Sequence, residues 1–181
     1  MRWVLLLLAL TGLLAGGCGE DEQPAPEAGR ERANEVSGPG FTTETPEGFS
    51  DSGGGGESGG VVLTLIGPYR ASEGFPPNIT VARTPAPPNS SVDQVRGSIR
   101  SQIGAQGGRG ADGLPDREID GEPAIGVAYS RRAPRAKLTQ RTYAVVQGRH
   151  LYTIASTTPQ KSTVDGEKVL ETVLDGWRWA G

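Results

Sequence analysis

A run of basic residues is the polar feature of this sequence with the clearest chemical potential. It has five positive charges and no acid: Arg131, Arg132, Arg135, Lys137 and Arg141. Arginine and lysine side chains bind phosphate and carboxylate groups through charge-assisted hydrogen bonds. Pro134 indicates that the run spans a hairpin loop between two strands. The sequence therefore predicts an anion-binding or partner-binding surface here, and the alternative is a solvated loop that protects a sheet edge.

Alternating acids form the second candidate group. An extended strand would place the four carboxylates on one face, because side chains alternate along a strand: Asp116, Glu118, Asp120 and Glu122. Paired carboxylates perform glycoside hydrolysis, and calcium takes six to eight oxygen ligands from a shaped loop. Four acids on one face are more typical of a solvated edge. We therefore expect no catalytic residue here, and a hydrolase that uses residues 116–122 or His150 is the alternative.

The residue inventory restricts the other chemistry. His150 is the only histidine and Cys18 the only cysteine among 181 residues, which excludes a metal site built from several of either. As a lone base His150 would need a nucleophile and an orienting acid, and we expect it at an exposed hairpin edge. The formal net charge of −3 argues against a general nucleic-acid binder. We expect no enzyme activity, no metal and no cofactor.

The N-terminus has the features of an export signal. A positively charged start and an apolar run over 4–14 precede the small residues 15–17 and Cys18. The run is shorter than the roughly 20 residues that span a bilayer. The pattern predicts a lipoprotein signal peptide over 1–17 and attachment of diacylglycerol to the Cys18 thiol. Lipoboxes usually have Leu where Ala15 stands, so an ordinary secretory signal cut nearby is the alternative.

Composition divides the rest of the chain into two parts. Residues 18–39 are acidic and contain almost nothing apolar, so they are predicted to form a disordered tether. Residues 40–181 are predicted to form one globular domain. The expected location is the extracytoplasmic face of the cell membrane, with the anchor on Cys18.

The patterning of residues 40–181 predicts an α+β domain in which an antiparallel sheet is flanked by two main helices. Apolar and alternating segments predict strands at 41–45, 61–66, 78–82, 117–119, 124–130, 138–147 and 151–157. Residues 106–115 are glycine-rich and are predicted to be an exposed loop. Helices are predicted to begin at Ser91 and at a cap formed by Ser162 with Asp165. Their apolar faces are Val92, Val95, Ile99 and Ile103, and Val169, Leu170, Val173, Leu174 and Trp177.

Several short stretches together resemble a known family, the LpqN-type lipoproteins of actinobacteria, over about residues 41–179. The stretches are Pro46-Glu47-Gly48-Phe49, Pro77-Asn78-Ile79-Thr80-Val81, Gly121-Glu122-Pro123-Ala124, Gly148-Arg149-His150-Leu151-Tyr152-Thr153-Ile154 and Val173-Leu174-Asp175-Gly176-Trp177. The resemblance implies the PsbP-like fold and a place on the cell envelope. It carries no catalytic residues.

These observations favour a binding or accessory module over an enzyme. The expected partners are the membrane, through the anchor on Cys18, and an envelope protein or a lipid-like ligand. An envelope hydrolase that uses the acidic strand or His150 is the alternative function. A concave pocket would favour a ligand, and a flat patch at the basic run would favour a macromolecule.

Overall fold

The computed structural model of the chain describes residues 34–54, 60–86, 92–105 and 107–181. Two α-helices and ten strands in these ranges confirm the predicted α+β class. The strands are β1 Glu35–Gly38, β2 Phe41–Glu44, β3 Ser50–Asp51, β4 Val61–Ile66, β5 Asn78–Pro85, β6 Arg109–Ile119, β7 Glu122–Ala133, β8 Ala136–Gln147, β9 His150–Pro159 and β10 Arg178–Trp179. The helices are α1 Val92–Ala105 and α2 Gly166–Asp175, and a 3₁₀ turn covers Ala71–Glu73.

Seven strands form one antiparallel sheet in the order β3-β4-β5-β9-β8-β7-β6. Its last four strands are joined by consecutive hairpins, and two of the turns contain residues with positive φ angles. Asp120 and Gly121 have φ angles of 47° and 84°, and Gly148 has a φ of 60°. Positive φ values are what the favoured two-residue hairpin turns require. Local turn chemistry therefore sets the register next to these two turns.

The two helices cover opposite faces of this sheet. Ala124 packs in one core cluster with Leu170 of α2, and its neighbour Ile125 packs in another with Ile99 of α1. Adjacent strand residues face opposite sides, which accounts for the division. The predicted α1 positions Val95, Ile99 and Ile103 are all buried. In the described ranges, neither helix has the length and apolar character needed to cross a bilayer.

Helix α2 begins one turn later than the predicted cap implied. Asp165 is the N-cap, and its Oδ1 accepts hydrogen bonds from the backbone N–H groups of Glu167 and Lys168 at 3.0 and 3.2 Å. The hydroxyl of Ser162 instead accepts from the backbone N–H of Val164 at 3.2 Å. The aspartate takes the cap because its carboxylate reaches two of the free N–H groups of the first turn.

Removing this cap gives a simple test of the assignment. Asp165→Ala is expected to lower the free energy of unfolding by about 1 kcal/mol, since it leaves two helix N–H groups without a protein acceptor. Ser162→Ala should have a smaller effect. Urea denaturation followed by circular dichroism measures both values, and equal losses for the two variants would contradict the assignment.

A second, three-stranded sheet has the order β1-β2-β10. It packs at the α2 side, where Phe41 of β2 stacks on Trp177 with ring centroids 4.1 Å apart. Both rings are fully buried. The sheet joins the start of the described chain to its last strand, since Arg178 pairs with Thr42 and Trp179 with Phe41.

Two predictions about local structure were wrong. Residues 109–115, expected in an exposed loop, belong to edge strand β6, whose side chains are mostly exposed and whose pairing with β7 is interrupted twice by register shifts. Residues 35–38, expected in the disordered tether, form β1 and pair with β2. In both segments backbone pairing with a neighbouring strand stabilises a sequence that has little apolar patterning.

Candidate functional site

The β7–β8 hairpin carries most of the predicted basic run. Pro134 and Arg135 form its turn, and Arg132 lies directly opposite Lys137 in the register of the two strands. Like charges placed directly opposite each other destabilise an antiparallel pair. No acid lies within residues 131–141 to offset this repulsion.

The 3₁₀ turn Ala71–Glu73 packs against the tip of this hairpin. Gly74 ends the turn with a φ of 74°, and a Cβ atom at this position would lie 2.5 Å from the carbonyl oxygen of Arg135. Only glycine allows both this conformation and this approach. The guanidinium of Arg131 also lies 6.0 Å from the centroid of the Phe75 ring, within the range of a cation–π contact.

The end of β9 supplies a third wall. Beyond the pair formed by Leu138 and Pro159, the backbone N–H of Gln160 donates to the carbonyl oxygen of Lys137 at 2.9 Å. This bond continues the β8–β9 pairing by one step. It brings Lys161 to the same place as the hairpin tip.

These three segments line an open cleft of about 580 Å³, formed by residues 72–73, 132–137 and 159–161, which we call the basic cavity. Its volume falls within the range of small-molecule sites. Four cations and one acid line it: Arg132, Arg135, Lys137, Lys161 and Glu73. Within the described part of the chain, none of the four cations forms an ion pair. The cavity therefore has a formal surplus of three positive charges.

Glu73 is the unexpected member of this site. Its side chain is buried, with 7% of the residue exposed, and its Oε2 atom has no hydrogen-bond partner among the described residues. A buried polar atom without a partner costs about 1–3 kcal/mol. The arrangement therefore combines free positive charges at a cavity with a buried acceptor that is not satisfied.

The structure separates the five predicted basic residues. Arg132, Arg135 and Lys137 line the basic cavity. Arg131 lines a neighbouring cavity of about 440 Å³, and its Nε donates to Oε1 of Gln140 at 3.0 Å. The two cavities share Arg132, Lys137 and Gln160. Arg141 lies elsewhere, with its Nη2 3.3 Å from Oε2 of Glu167 on α2.

The cavity near Arg141 has no comparable charge surplus. It measures about 240 Å³, and its two arginines are matched by two acids: Arg117 and Arg141, with Glu167 and Glu171. Burial raises the pKa of Tyr143 above its usual value of 10.0, so the hydroxyl stays protonated at neutral pH. It donates to the carbonyl oxygen of Pro115 at 3.2 Å. Arg141 pairs with Glu167 inside the cavity, and Arg117 pairs with Asp175 beside it, so both arginines already have acidic partners.

The acids considered for catalysis do not share one strand face. Strand β6 ends at Ile119, so Asp120 lies in the turn and Glu122 begins β7. Asp116 forms an ion pair with Arg96 at 2.8 Å, and Asp120 accepts from the backbone N–H of Trp179 at 2.8 Å. Across the described ranges, no group of three or more histidine, cysteine or acidic side chains is placed to hold a metal ion.

His150 opens β9 and is half-buried, in contrast to the exposed position that we expected. Nη2 of Arg83 lies 2.9 Å from its Nε2 and 3.2 Å from its Nδ1. The pairing of β5 with β9 brings these residues together, with Pro85 opposite His150. The contact is therefore a structural consequence of the sheet register.

The predicted lipid attachment site lies outside the described residues. The structure does not describe residues 1–33, which include the predicted signal peptide over 1–17, Cys18 and residues 18–33 of the tether. The predictions for the anchor therefore continue to depend on the sequence alone.

Comparison with known proteins gives matches among solved structures only. No protein-family model and no curated protein matches the sequence. LpqN of Mycobacterium tuberculosis, described as involved in cell envelope biogenesis, aligns with a TM-score of 0.63 and 12% identity over 81% of this chain and 90% of that one. The cyanobacterial PsbP of Synechocystis aligns with a TM-score of 0.54 and 15% identity over 91% and 98%.

A third structure, from Bacteroides thetaiotaomicron, aligns with a TM-score of 0.52 and 13% identity over 78% of this chain and 45% of that one. At these identities the likeness concerns the fold. The described chain has the fold that LpqN and the cyanobacterial PsbP share, as the sequence resemblance implied.

Proposed function

We propose that this chain is a non-catalytic binding module of the cell envelope, anchored through Cys18, that holds the anionic headgroup of an amphiphilic envelope molecule in the basic cavity. The observation that carries the proposal is the convergence of four unpaired cations on one cavity. They come from the β7–β8 hairpin and the end of β9. Cations that served only to keep a surface loop soluble would not need to line one concave site.

Charge repulsion supports an anionic ligand. Arg132 and Lys137 are directly opposed across the hairpin, and the rest of the described chain provides neither with an ion-pair partner. A bound phosphate or carboxylate would turn this unfavourable pair into two charge-assisted hydrogen bonds. An anionic ligand would thus supply the negative charge that the protein lacks between Arg132 and Lys137.

The envelope location has separate support. The sequence predicts a signal peptide and a lipid-modified Cys18, and this anchor would place the domain beside the membrane surface. LpqN, which shares the fold, is described as involved in cell envelope biogenesis. A domain held at a membrane meets anionic headgroups at high local concentration.

The test uses the full chain, anchored in nanodiscs of neutral phosphatidylcholine. Water-soluble dibutanoyl phosphatidylglycerol and dibutanoyl phosphatidylcholine are titrated by calorimetry. The anionic lipid is expected to bind saturably, and the neutral lipid at least tenfold more weakly. The double variant Arg132→Gln/Lys137→Gln is expected to lose at least tenfold in affinity for the anionic lipid, since it removes two charge-assisted contacts.

Arg96→Gln is the matched control, because it removes a cation that is already paired with Asp116. It should change the affinity less than twofold. Equal binding of the two lipids, or equal losses in the control and the double variant, would contradict the proposal. Crosslinking of the wild-type chain to an envelope protein, without binding of either lipid, would assign the basic cavity to a protein partner instead.

A further inference from the structure

The buried carboxyl group of Glu73 narrows the class of ligand. We infer that the basic cavity recognises a phosphate ester of a polyol, in which the cations bind the phosphate and a hydroxyl group donates to the Glu73 carboxylate. This inference rests on the proposed function and specifies its ligand. Glu73 lines the same cavity as Arg132 and Lys161, and the described residues leave its buried Oε2 without a donor.

A simple anion does not account for Glu73. A carboxylate ligand would satisfy the cations but has no donor for the Glu73 carboxylate. Inorganic phosphate keeps an O–H donor at neutral pH, but donating it would place the anion itself directly against that carboxylate. A ligand that carries a donor at some distance from its anionic group satisfies both parts of the cavity. The volume of about 580 Å³ accommodates such a two-part ligand.

The charge balance of the cavity favours a hydroxyl group as that donor. Four cations and one acid leave a formal surplus of three positive charges. A metal ion or a ligand ammonium group would satisfy Glu73 but would be repelled by this surplus. A phosphorylated polyol brings negative charge and neutral donors together. Ser72 and Gln160 also line the cavity and offer polar groups to further hydroxyls.

Different parts of the site bind the phosphate and the hydroxyl group. The hairpin and Lys161 supply the positive charges, whereas Glu73 comes from the 3₁₀ turn that Gly74 holds against Arg135. Substitution of the cations should therefore weaken binding of every phosphate. Substitution of Glu73 should remove only the preference for the polyol.

The experiment measures that preference in the full chain, anchored in phosphatidylcholine nanodiscs. Calorimetry compares myo-inositol 1-phosphate, inorganic phosphate and myo-inositol. The wild-type chain is expected to bind inositol phosphate about tenfold more tightly than inorganic phosphate, and to bind inositol too weakly to measure. Glu73→Gln should bring the two phosphate affinities to within about twofold of each other, because it removes the charge from the acceptor of the hydroxyl.

Glu47→Gln is the matched control, since it removes one exposed acid in the turn after β2. It should keep the tenfold preference. Thermal unfolding of both variants shows whether the fold is intact, and Glu73→Asp provides a second variant that keeps the charge but shortens its reach. A loss of preference in Glu73→Asp together with Glu73→Gln supports contact with the ligand.

The outcomes separate this inference from the proposed function. If inorganic phosphate binds as tightly as inositol phosphate, or Glu73→Gln keeps the preference, the inference is overturned while the anion-binding function stands. If no anion binds, both are overturned. A separate titration with water-soluble dibutanoyl phosphatidylinositol identifies the source of the ligand. Tighter binding than that of free inositol phosphate supports a lipid headgroup, and weaker binding supports a free phosphorylated polyol.

Discussion

Trp177→Ala is expected to lower the free energy of unfolding by about 3–5 kcal/mol. Trp177 is fully buried, stacks on Phe41 at 4.1 Å and makes edge contacts with Tyr152 and Trp179 at 6.3 and 5.3 Å. Its buried Nε1 has no hydrogen-bond partner among the described residues, so we attribute its contribution to packing. Urea denaturation followed by circular dichroism measures the loss, and the melting temperature should fall by roughly 6–20 °C.

Two further variants test whether packing is the cause. Trp177→Phe keeps an aromatic ring against Phe41 and should recover more than half of the loss. Tyr69→Ala removes a large side chain that is 49% exposed, and should change the free energy of unfolding by less than about 0.5 kcal/mol. A small loss of stability in Trp177→Ala, comparable with that of Tyr69→Ala, would show that the packing of Trp177 against its neighbouring rings does not hold the two sheets together.

The second large effect is expected from Gly74→Ala, because this residue holds the 3₁₀ turn against the hairpin tip. A left-handed conformation costs a residue with a Cβ about 1–2 kcal/mol. The new methyl group would in addition lie 2.5 Å from the carbonyl oxygen of Arg135, so one of the two backbones must shift. Glu73 is the neighbouring residue and would move with the turn. We expect both lower stability and at least tenfold weaker binding of inositol phosphate.

Gly148→Ala is the control that separates the cost of backbone strain from the effect of the contact between Gly74 and Arg135. Gly148 has a φ of 60°, but a Cβ atom there would meet no other atom within 4 Å. Its loss of stability should therefore reflect the conformational cost alone, and its affinity for inositol phosphate should remain that of the wild-type chain. Equal effects of the two alanine substitutions on binding would disprove the role that we assign to the contact between Gly74 and Arg135.

Most of the fold was predictable from local patterns. Apolar runs and helical spacing identified β4, β8 and α2, and Pro134 identified the hairpin between β7 and β8, because these signals lie within a few neighbouring residues. Strand β1 and residues 109–115 of β6 were missed. Glu35–Gly38 has a single apolar residue, and β6 is mostly exposed with little apolar alternation, so both depend on pairing with strands whose position the sequence does not reveal.

The candidate site was predictable only in part, for the same reason. Arg132, Arg135 and Lys137 are close in sequence and share one hairpin, so their proximity was evident. Arg141 follows Lys137 by four residues, which on a strand is about 13 Å, and this distance carries it to the ion pair with Glu167. Glu73 and Lys161 come from other segments, and no local pattern marks either of them as part of the site.

The three-stranded sheet also constrains the order in which the chain can fold. The hairpins β6 to β9 join neighbouring segments and close short loops, which is entropically cheap. Strand β2, in contrast, pairs with β10 at the far end of the described chain, and Ala180 donates to the carbonyl oxygen of Gly40 at 3.0 Å. Such distant pairing forms slowly. We therefore expect Phe41 and Trp177 to become buried late in folding, after the hairpins of β6 to β9 have formed.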